Sequence, residues 1–262
     1  MRDNQSCSEH AFGRGRRMCH TLSMIQCALN GDYSRDDHPG VPVTLEQLVA
    51  DAVACRAAGA ESVHLHPRRA SDGAETLAAD VHDAVVAAIR SVVPDLEISC
   101  STQEDIDLGG ARDRVAAVRA WKSPPDVVSL NLAEDGVIEL GGMLLACGIG
   151  IEAGVFTLAD ADKLLAAPWA SAIHRVLVEV IFEHEDAAAV ELARAIDARV
   201  AVLERPRLWH GDARANWAVV DAGLAVGVDV RVGLEDTLIG RNGGRAPDNA
   251  LQVADTVGRA KT

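Results

Sequence analysis

The stretch TLEQLVADAVACRAAGAESVHLH, residues 44 to 66, passes from a helical pattern to a strand pattern. Thr44 and Gln47 have the spacing of a capping box, and the apolar residues from Leu45 to Ala58 predict a helix packed on a core. Gly59 stands where a helix usually ends, and the short run from Ser62 to His66 predicts a buried strand. A helix followed at once by a buried strand is typical of α/β proteins with a parallel sheet.

The same alternation repeats along the chain. The predicted strands are Ile25 to Leu29, Ser62 to His66, Glu97 to Ser101, Val127 to Asn131, Gly150 to Val155, Val176 to Ile181, Ala201 to Leu203 and Asp229 to Gly233. The predicted helices are Leu45 to Ala58, Leu77 to Ile89, Ala111 to Trp121, a short glycine-interrupted one at Val137 to Cys147, Leu158 to Ala167, Ala187 to Ile196, Arg214 to Ala225 and Asn249 to Ala260. Thr157 and Asp160 mark one helix start, and Gly223 marks a helix stop. Eight such units predict a (β/α)8 TIM barrel, whereas the alternative, a doubly wound open sheet, lacks a G-x-G-x-x-G after its first strand.

Length and composition limit the class of protein. The 262 residues fit a flexible N-terminal leader at residues 1–22 and a single catalytic barrel domain at residues 23–262. The net charge of −14 argues against a nucleic-acid partner. No apolar run reaches the roughly 18 residues that a membrane helix needs. The six cysteines form no C-x-x-C pair, which is typical of reduced thiols in the cytoplasm.

Two histidines at the end of the second predicted strand suggest a metal site. Active sites of such barrels lie at the carboxyl ends of the strands. Because a strand has a period of two, His64 and His66 point to the same side. Zinc would need a third protein ligand, and Glu235 is the best-placed oxygen ligand. An H-x-H pair also occurs by chance, so the pair alone leaves a structural role open.

The segment DVRVGLEDTLIGRNGGRAPDNA, residues 229 to 250, is the second informative stretch. Arg231 lies on the last predicted strand, and a buried arginine needs a carboxylate such as Glu235 or Asp236. One of these acids is then a metal ligand, and the other is a base that Arg231 keeps ionised. An ordinary ion-pair cluster at the barrel rim is the alternative.

Other polar residues stand at predicted strand ends, namely Asp32, Ser99, Ser101, Ser129, Asn131, Glu152, Glu179, Glu183 and Glu204. We assign His174 and His184 structural or solvated roles, and we place His210 in a loop.

Seven motifs together resemble one enzyme family. They are ALNGD (28–32), HPGVPVT (38–44), AGAESVHLHPR (58–68), VVSLNLAEDG (127–136), GIEAGVF (150–156), RVGLEDTL (231–238) and DNALQVA (248–254). Their order and spacing are similar to those of the β-keto acid cleavage enzymes, and the resemblance extends from residue 24 to residue 260.

The resemblance implies a (β/α)8 barrel with bound zinc or another divalent metal. It also implies an acyltransferase that condenses a β-keto acid with acetyl-CoA to give acetoacetate and a new acyl-CoA. His64, His66 and Glu235 match the metal ligands of the family. Arg231 and Asp236 match the catalytic arginine and aspartate of the family, which implies that Asp236, oriented by Arg231, takes a proton from the carbon that a bound metal would acidify.

The resemblance also implies how the substrate is held and how the chain assembles. Ser101, Ser129 and Asn131 match positions that hold the substrate, and we add Glu152 to this group. One family member has a substrate-binding glutamate after the first strand, where this chain has a loop that is one residue shorter. Asp32 in that loop replaces this acid, or Tyr33 fills its space. Family members are usually homo-oligomers, so a tetramer or dimer is expected.

Two other functions remain open. A CoA-independent, metal-dependent barrel hydrolase or retro-aldol lyase can also use H-x-H, although amidohydrolases carry the pair on the first strand. The other is a non-catalytic ligand-binding barrel. Thioester turnover separates all three.

Overall fold

Eight parallel strands alternate with eight α-helices in the computed structural model, which describes residues 23–106, 111–181 and 185–261. The strands are β1 (Ile25–Ala28), β2 (Ser62–Leu65), β3 (Glu97–Ser101), β4 (Val127–Asn131), β5 (Gly150–Val155), β6 (Arg175–Val180), β7 (Arg207–Gly211) and β8 (Asp229–Val232). The helices are α1 (Leu45–Ala58), α2 (Ala79–Val92), α3 (Ala111–Arg119), α4 (Val137–Ala146), α5 (Leu158–Ala166), α6 (Asp186–Val200), α7 (Ala215–Val226) and α8 (Asn249–Ala260). The strands pair in chain order and β1 pairs with β8, so the barrel is closed and the predicted TIM barrel is confirmed.

Some of the predictions fall outside the described residues. These are the leader at residues 1–22 and two side chains after the sixth strand, Glu183 and His184. Within the described ranges, none of the helices is long and apolar enough to cross a membrane.

Helix starts and stops follow their local sequence signals. Thr44 and Thr157 each form a capping box, with Gln47 and Asp160 as their partners, and Gly59 ends α1 in the left-handed conformation. Gly223 does not end α7, because the helix continues to Val226 and stops at the left-handed Gly227.

The seventh strand was predicted in the wrong place. Ala201 to Leu203 forms a 3-10 helix that continues α6, and Glu204 then turns the chain with a positive φ of 51°. The true strand is β7, in which Arg207, His210 and Gly211 leave only two apolar residues and so hide the strand pattern. In this strand Trp209 packs in the outer core, whereas His210 points into the barrel. His210 is therefore a buried strand residue, and its predicted loop position was wrong.

The two faces of the barrel wall differ in chemistry. Outward-facing residues such as Val63, Cys100, Ile151 and Val230 pack with the helices in aliphatic clusters. The alternate positions face inward and carry many polar and charged side chains, including Gln26, His64, Ser99, Glu152, Arg175, Glu179, His210 and Arg231. Burial of so much charge inside a barrel is costly unless each group has a partner, so these contacts define the site.

Candidate metal centre and active-site cavity

Three side chains at the carboxyl end of the barrel present donor atoms to a common point. The Nε2 atoms of His64 and His66 lie 3.3 Å apart. Glu235 Oε1 lies 3.6 Å from the first nitrogen and 3.7 Å from the second. A tetrahedral zinc ion with bonds of 2.0–2.1 Å would hold its ligand atoms about 3.4 Å apart. The predicted trio thus has nearly the spacing of zinc ligands. Among the described residues, it is the group of histidine, cysteine or acidic side chains whose donor atoms lie close enough together to hold a metal ion.

Hydrogen bonds orient both imidazoles so that Nε2 is free for a metal. Ser99 donates its hydroxyl hydrogen to Glu152, so its oxygen is left to accept from His64 Nδ1 at 2.9 Å. His66 Nδ1 lies 2.7 Å from Glu75 Oε2, and a carboxylate accepts at that distance. In the form that binds a metal, each ring therefore keeps its proton on Nδ1 and offers the lone pair of Nε2, as in metal sites where a carboxylate supports the histidine.

The backbone around this point is locked by the loop after β1. Asn30 donates Nδ2 to the carbonyl of His66 and accepts from the His66 amide, both at 2.9 Å, so it extends the β1–β2 pairing by one step. The Gly31 amide donates to Glu235 Oε2 at 3.1 Å. Gly31 has a φ of 50°, and a Cβ there would stand 2.6 Å from Glu235 Cγ, so glycine is required for this approach.

The electrostatics of the trio favour a bound positive charge. Burial lowers the pKa of His64 to about 4. Burial also opposes a charge on His66, but the carboxylates of Glu235 and Glu75 outweigh it and raise the pKa of His66 to about 10. Burial alone would raise the pKa of Glu235, yet His64, Arg231 and His66 hold it well below its ordinary range. The carboxylates of Glu235 and Glu75 therefore stabilise positive charge at this point. The proton on His66 supplies that charge, and a divalent cation bound there would supply it equally.

A second cluster surrounds Asp236. Arg231 donates from Nε at 3.1 Å and from Nη2 at 2.7 Å to Asp236 Oδ1, and His210 Nδ1 lies 3.3 Å from the same oxygen. The other oxygen, Oδ2, is buried and has no hydrogen-bond partner among the described residues. The carboxylate is thus fixed through one oxygen and keeps the other free.

Both cations of this cluster are strongly stabilised. Burial lowers the pKa of Arg231, but Asp236, Glu235 and Glu179 raise it above its ordinary value. Burial and Arg231 oppose a charge on His210, yet Asp236 and Glu179 raise its pKa to about 9. His210 is therefore an imidazolium near neutral pH, with Nε2 3.2 Å from Glu179 Oε2. Because Arg231 and Asp236 are only 4% and 3% exposed, the cluster is not an ordinary ion-pair group on the rim.

A cavity of about 550 Å³ opens over both clusters. Its lining includes His66, Arg231, Glu235 and Asp236, together with residues of the loops that follow β1, β3 and β7. Acids dominate this lining, and they are Asp32, Glu104, Asp105, Glu134, Glu179, Asp212, Glu235 and Asp236.

The predicted substrate-binding residues do not all reach the cavity. Asn131 and Asp32 line it, although Asp32 is exposed at the mouth. Ser101 and Ser129 are buried side by side on β3 and β4 and are not part of the lining. Glu152 is fully buried deeper in the barrel, where Gln26 and Arg175 donate to it and Ser99 links it to His64. It therefore lies behind the metal ligands rather than in the cavity.

Two other residues named from the sequence, one acid and one histidine, stand outside the lining. Glu204 follows a 3-10 helix and does not lie at a strand end, so that prediction was wrong. His174, which we assigned a structural or solvated role, pairs with Glu97 at the start of β3, at 3.0 Å.

Three residues that shape the site were given no role from the sequence. Glu75 lies in a loop nine positions after His66, and no spacing rule connects the two residues. His210 was placed in a loop because its strand was misplaced. Glu179 was named only as one of several acids. The period of two along β6 places it on the same inward face as Arg175 and Leu177, and this signal was available in the sequence.

Sequence comparisons with known proteins agree on one family. The sequence model of the beta-keto acid cleavage enzyme matches residues 23–204 and 180–262. The 3-keto-5-aminohexanoate cleavage enzyme of Fusobacterium nucleatum subsp. nucleatum is 22% identical over 92% of this chain and 94% of its own length. The enzyme of the same name from Acetoanaerobium sticklandii is 35% identical over 30% of this chain and 29% of its own length.

Among solved structures, the ternary complex of ObcA with a C4-CoA adduct and oxalate has the same fold. It superposes with a TM-score of 0.69 at 21% identity over 84% of this chain, and the chain spans 64% of the ObcA length. The family model, which covers nearly all described residues, decides the assignment. This chain belongs to the beta-keto acid cleavage enzyme family.

Proposed function

We propose that this chain uses a divalent metal, zinc or a similar ion, to cleave a β-keto acid with acetyl-CoA, forming acetoacetate and a new acyl-CoA. The observation that carries the proposal is the free Oδ2 of Asp236. It is a buried carboxylate oxygen without a hydrogen-bond partner among the described residues, and Asp236 lines the same cavity as His66 and Glu235, two of the three residues with metal-ligand spacing. A base and a metal site in one cavity are what proton abstraction next to a keto group requires.

His64, His66 and Glu235 would hold the ion. When bound there, a divalent ion would polarise the keto and carboxylate oxygens of the substrate and so acidify the carbon between them. Ser99 and Glu75 keep the two imidazoles in the tautomer that this needs. Arg231 is the one arginine among the described lining residues, and together with the His210 imidazolium it offers positive charge to the substrate acid.

Asp236 Oδ2 takes a proton from the carbon between the two carbonyl groups, while Arg231 and His210 stabilise the carboxyl through Oδ1. The resulting carbanion attacks the thioester carbon of acetyl-CoA, and the CoA thiolate leaves. The thiolate then attacks the original keto carbon, and the bond between that carbon and the former carbanion breaks. This releases the new acyl-CoA and the acetoacetate carbanion, which recovers its proton from Asp236.

The family assignment supports β-keto acid cleavage, and the complex of ObcA with a C4-CoA adduct supports the use of a thioester. The four described cysteines are free, which supports a cytoplasmic location. We retain the homo-oligomer, a tetramer or dimer, and the single catalytic domain at residues 23–262 as parts of the proposal.

One observation favours the CoA-independent lyase or hydrolase instead. The mouth of the cavity carries exposed Asp32 together with Asp105 and Asp212, and an acidic mouth repels the phosphates of CoA. Under this alternative, water replaces the thioester as co-reactant.

Thioester exchange tests the proposal. The purified protein is first analysed for metal, and acetyl-CoA is then added with a panel of β-keto acids, followed by mass spectrometry. We expect acetoacetate and the matching acyl-CoA in equal amounts, both lost in Asp236→Asn. Consumption of the acid without any change in acetyl-CoA would support the CoA-independent alternative and reject the transferase.

A further inference from the structure

A buried amide joins the backbones of two segments beside the metal trio. Asn249, the first residue of α8, is 0% exposed and lies in the motif DNALQVA, to which the proposed chemistry gives no role. Its Oδ1 accepts from the Leu234 amide at 2.7 Å. Its Nδ2 donates to the Leu29 carbonyl at 2.8 Å and to Asp51 Oδ2 at 2.7 Å. Both hydrogens of the amide are therefore used, and its oxygen has a donor.

The two bridged backbones lead directly to the metal ligands. Leu234 precedes Glu235, so the bond to the Leu234 amide fixes the peptide group that leads into Glu235. Leu29 donates its own amide to the carbonyl of His64 at 2.8 Å. Through Leu29, Asn249 thus connects the segment that carries Glu235 to the strand that carries the histidines.

The regular pairing of β1 with β8 ends before it reaches this point. Cys27 and Val232 are the last paired residues of the two strands. The backbone contact that follows, from the Glu235 amide to the Ala28 carbonyl, is long at 3.4 Å. The side chain of Asn249, with its shorter bonds, therefore connects the two segments where the strand pairing stops.

We propose that Asn249 is a positioning residue that holds Glu235 at the distance from the two histidines that a metal ion requires. This inference rests on the proposed function, because it takes His64, His66 and Glu235 as ligands of one ion. The carboxylate follows β8 and the imidazoles belong to β2 and its end, so the ion binds well only if these segments keep their spacing. Residues that hold metal ligands in place in this way contribute to affinity without touching the ion.

The neighbours of Asn249 determine which way its amide points. The Leu234 amide is a donor and must face Oδ1, whereas the Leu29 carbonyl is an acceptor and must face Nδ2. Asp51 on α1 supports the same orientation, because a carboxylate only accepts. Burial raises the pKa of Asp51 to about 6, so the assays are run at about pH 8, where Asp51 is ionised.

Asn216 provides a matched control in the preceding β/α unit. Its side chain is also 0% exposed, stands in the first turn of α7 and accepts from the Gly211 amide at 2.9 Å. Gly211 is not adjacent in sequence to any member of the metal trio. A loss of metal affinity in Asn249→Ala that exceeds the loss in Asn216→Ala is therefore not explained by removal of a buried amide alone.

The first test compares zinc affinity, measured by competition with a chelator, with folding stability, measured by urea denaturation of the metal-free proteins. We expect Asn249→Ala to bind zinc about 10- to 100-fold more weakly than the unmodified protein. Asn216→Ala should stay within about threefold, although both variants lower the denaturation midpoint. A zinc affinity of Asn249→Ala within about threefold, or an equal loss in Asn216→Ala, would overturn the inference.

Exchange of the side chains at positions 249 and 51 gives a second test with variants that keep the native shape. In Asn249→Asp, a carboxylate oxygen replaces Nδ2 and meets the Leu29 carbonyl and Asp51, so zinc affinity should fall about tenfold or more. In Asn249→Asp/Asp51→Asn, the donor moves to position 51 and the bond between the two side chains returns. We expect this variant to bind zinc at least about threefold more tightly than Asn249→Asp, and no recovery would contradict the inference.

Hydrogen exchange of the metal-free protein separates this inference from the proposed metal centre. In Asn249→Ala the amides of residues 233–236 should exchange about tenfold or more faster, whereas those of residues 207–211 should not change. Unchanged exchange at residues 233–236 would reject the positioning role. If His64→Ala/His66→Ala keeps its zinc, the proposed metal centre fails, and the exchange rates still decide whether Asn249 holds this segment. If that variant loses its zinc and Asn249→Ala does not, only the positioning role is rejected.

Discussion

Replacement of Glu75 by glutamine tests whether a residue that sequence analysis did not find supports the metal site. Glu75 Oε2 accepts from His66 Nδ1 at 2.7 Å, and the two side chains are 16% and 6% exposed, so solvent screens the contact little. We expect Glu75→Gln to weaken metal binding while the three ligands remain in place. Glu75→Ala should weaken it further.

The size of the effect follows from the kind of hydrogen bond that is lost. A bond to a charged group is worth about 1.5–3 kcal/mol and a neutral one about 0.5–1.5 kcal/mol, so the change to glutamine removes about 1–1.5 kcal/mol. This corresponds to about a five- to tenfold weaker metal affinity. The substitution also lowers the pKa of His66, so the ring releases its proton to the solvent more easily when a metal binds. This partly offsets the loss, so we expect a metal affinity about fivefold weaker in Glu75→Gln. Loss of the whole contact in Glu75→Ala should cost about 10- to 100-fold.

The assay is competition for zinc with a chelator of known affinity at one fixed pH, followed by metal analysis of the recovered protein. Glu61→Gln serves as the matched control, since it removes an exposed carboxylate at the opposite end of the barrel. Affinities of Glu75→Gln and Glu75→Ala within about twofold of the unmodified protein would refute the supporting role of Glu75. If His64→Ala/His66→Ala also keeps its metal, the predicted ligand set is wrong.

Three further predictions concern the base, the core and the backbone. Asp236→Asn should lower kcat by about 10²- to 10⁴-fold with unchanged metal content, and activity within tenfold of the unmodified enzyme would assign the base elsewhere. Burial lowers the pKa of His82, stacked 3.6 Å from Trp121, to about 3, below the 6.5 of an unfolded chain. The folded state thus binds fewer protons between these values, so stability is complete above pH 6.5 and falls below it, by up to about 1.4 kcal/mol per pH unit. His82→Phe should reduce that slope in urea denaturation, and an unchanged slope would contradict the assignment. A Cβ on Gly233 would overlap the Ala28 carbonyl, so Gly233→Ala should lower the free energy of unfolding by about 3 kcal/mol. Gly227 has open space around it, so Gly227→Ala should lower the free energy of unfolding by only about 1 kcal/mol. Equal losses in the two variants would contradict this reasoning.

The fold could be predicted because the outer face of nearly every strand is apolar and each helix has its own start and stop signals. Strands β3, β4 and β5 have the predicted bounds, and α1 and α8 do as well. The exception is β7, in which only Leu208 and Trp209 are apolar. His210, which points into the barrel, is polar and interrupts the apolar run. A strand chosen by apolar character alone was therefore assigned to the aliphatic run Ala201 to Leu203, which continues α6.

The metal trio could be predicted in part because two of its members share one strand end. His64 and His66 need only the period of two, and Glu235 was the best-placed oxygen ligand in the sequence before the family resemblance matched it to a metal ligand. Glu75 reaches His66 through a loop, and His210 reaches Asp236 across the β7–β8 pair. Contacts of this kind depend on loop path and strand register, which local sequence patterns do not encode.

The requirements of the site, rather than stability, explain the polar side chains inside the barrel. A chain of contacts runs from Arg175 through Glu152 and Ser99 to His64, and Gln26 joins it at Glu152. Replacing a buried ion pair by aliphatic side chains is often neutral or stabilising, so packing alone does not require this chain. Arg175 lowers the pKa of Glu152 despite burial, which keeps Glu152 an acceptor and obliges Ser99 to donate to it. Ser99 can then only accept from His64 Nδ1, so charges deep in the barrel determine which nitrogen of His64 is left for a metal.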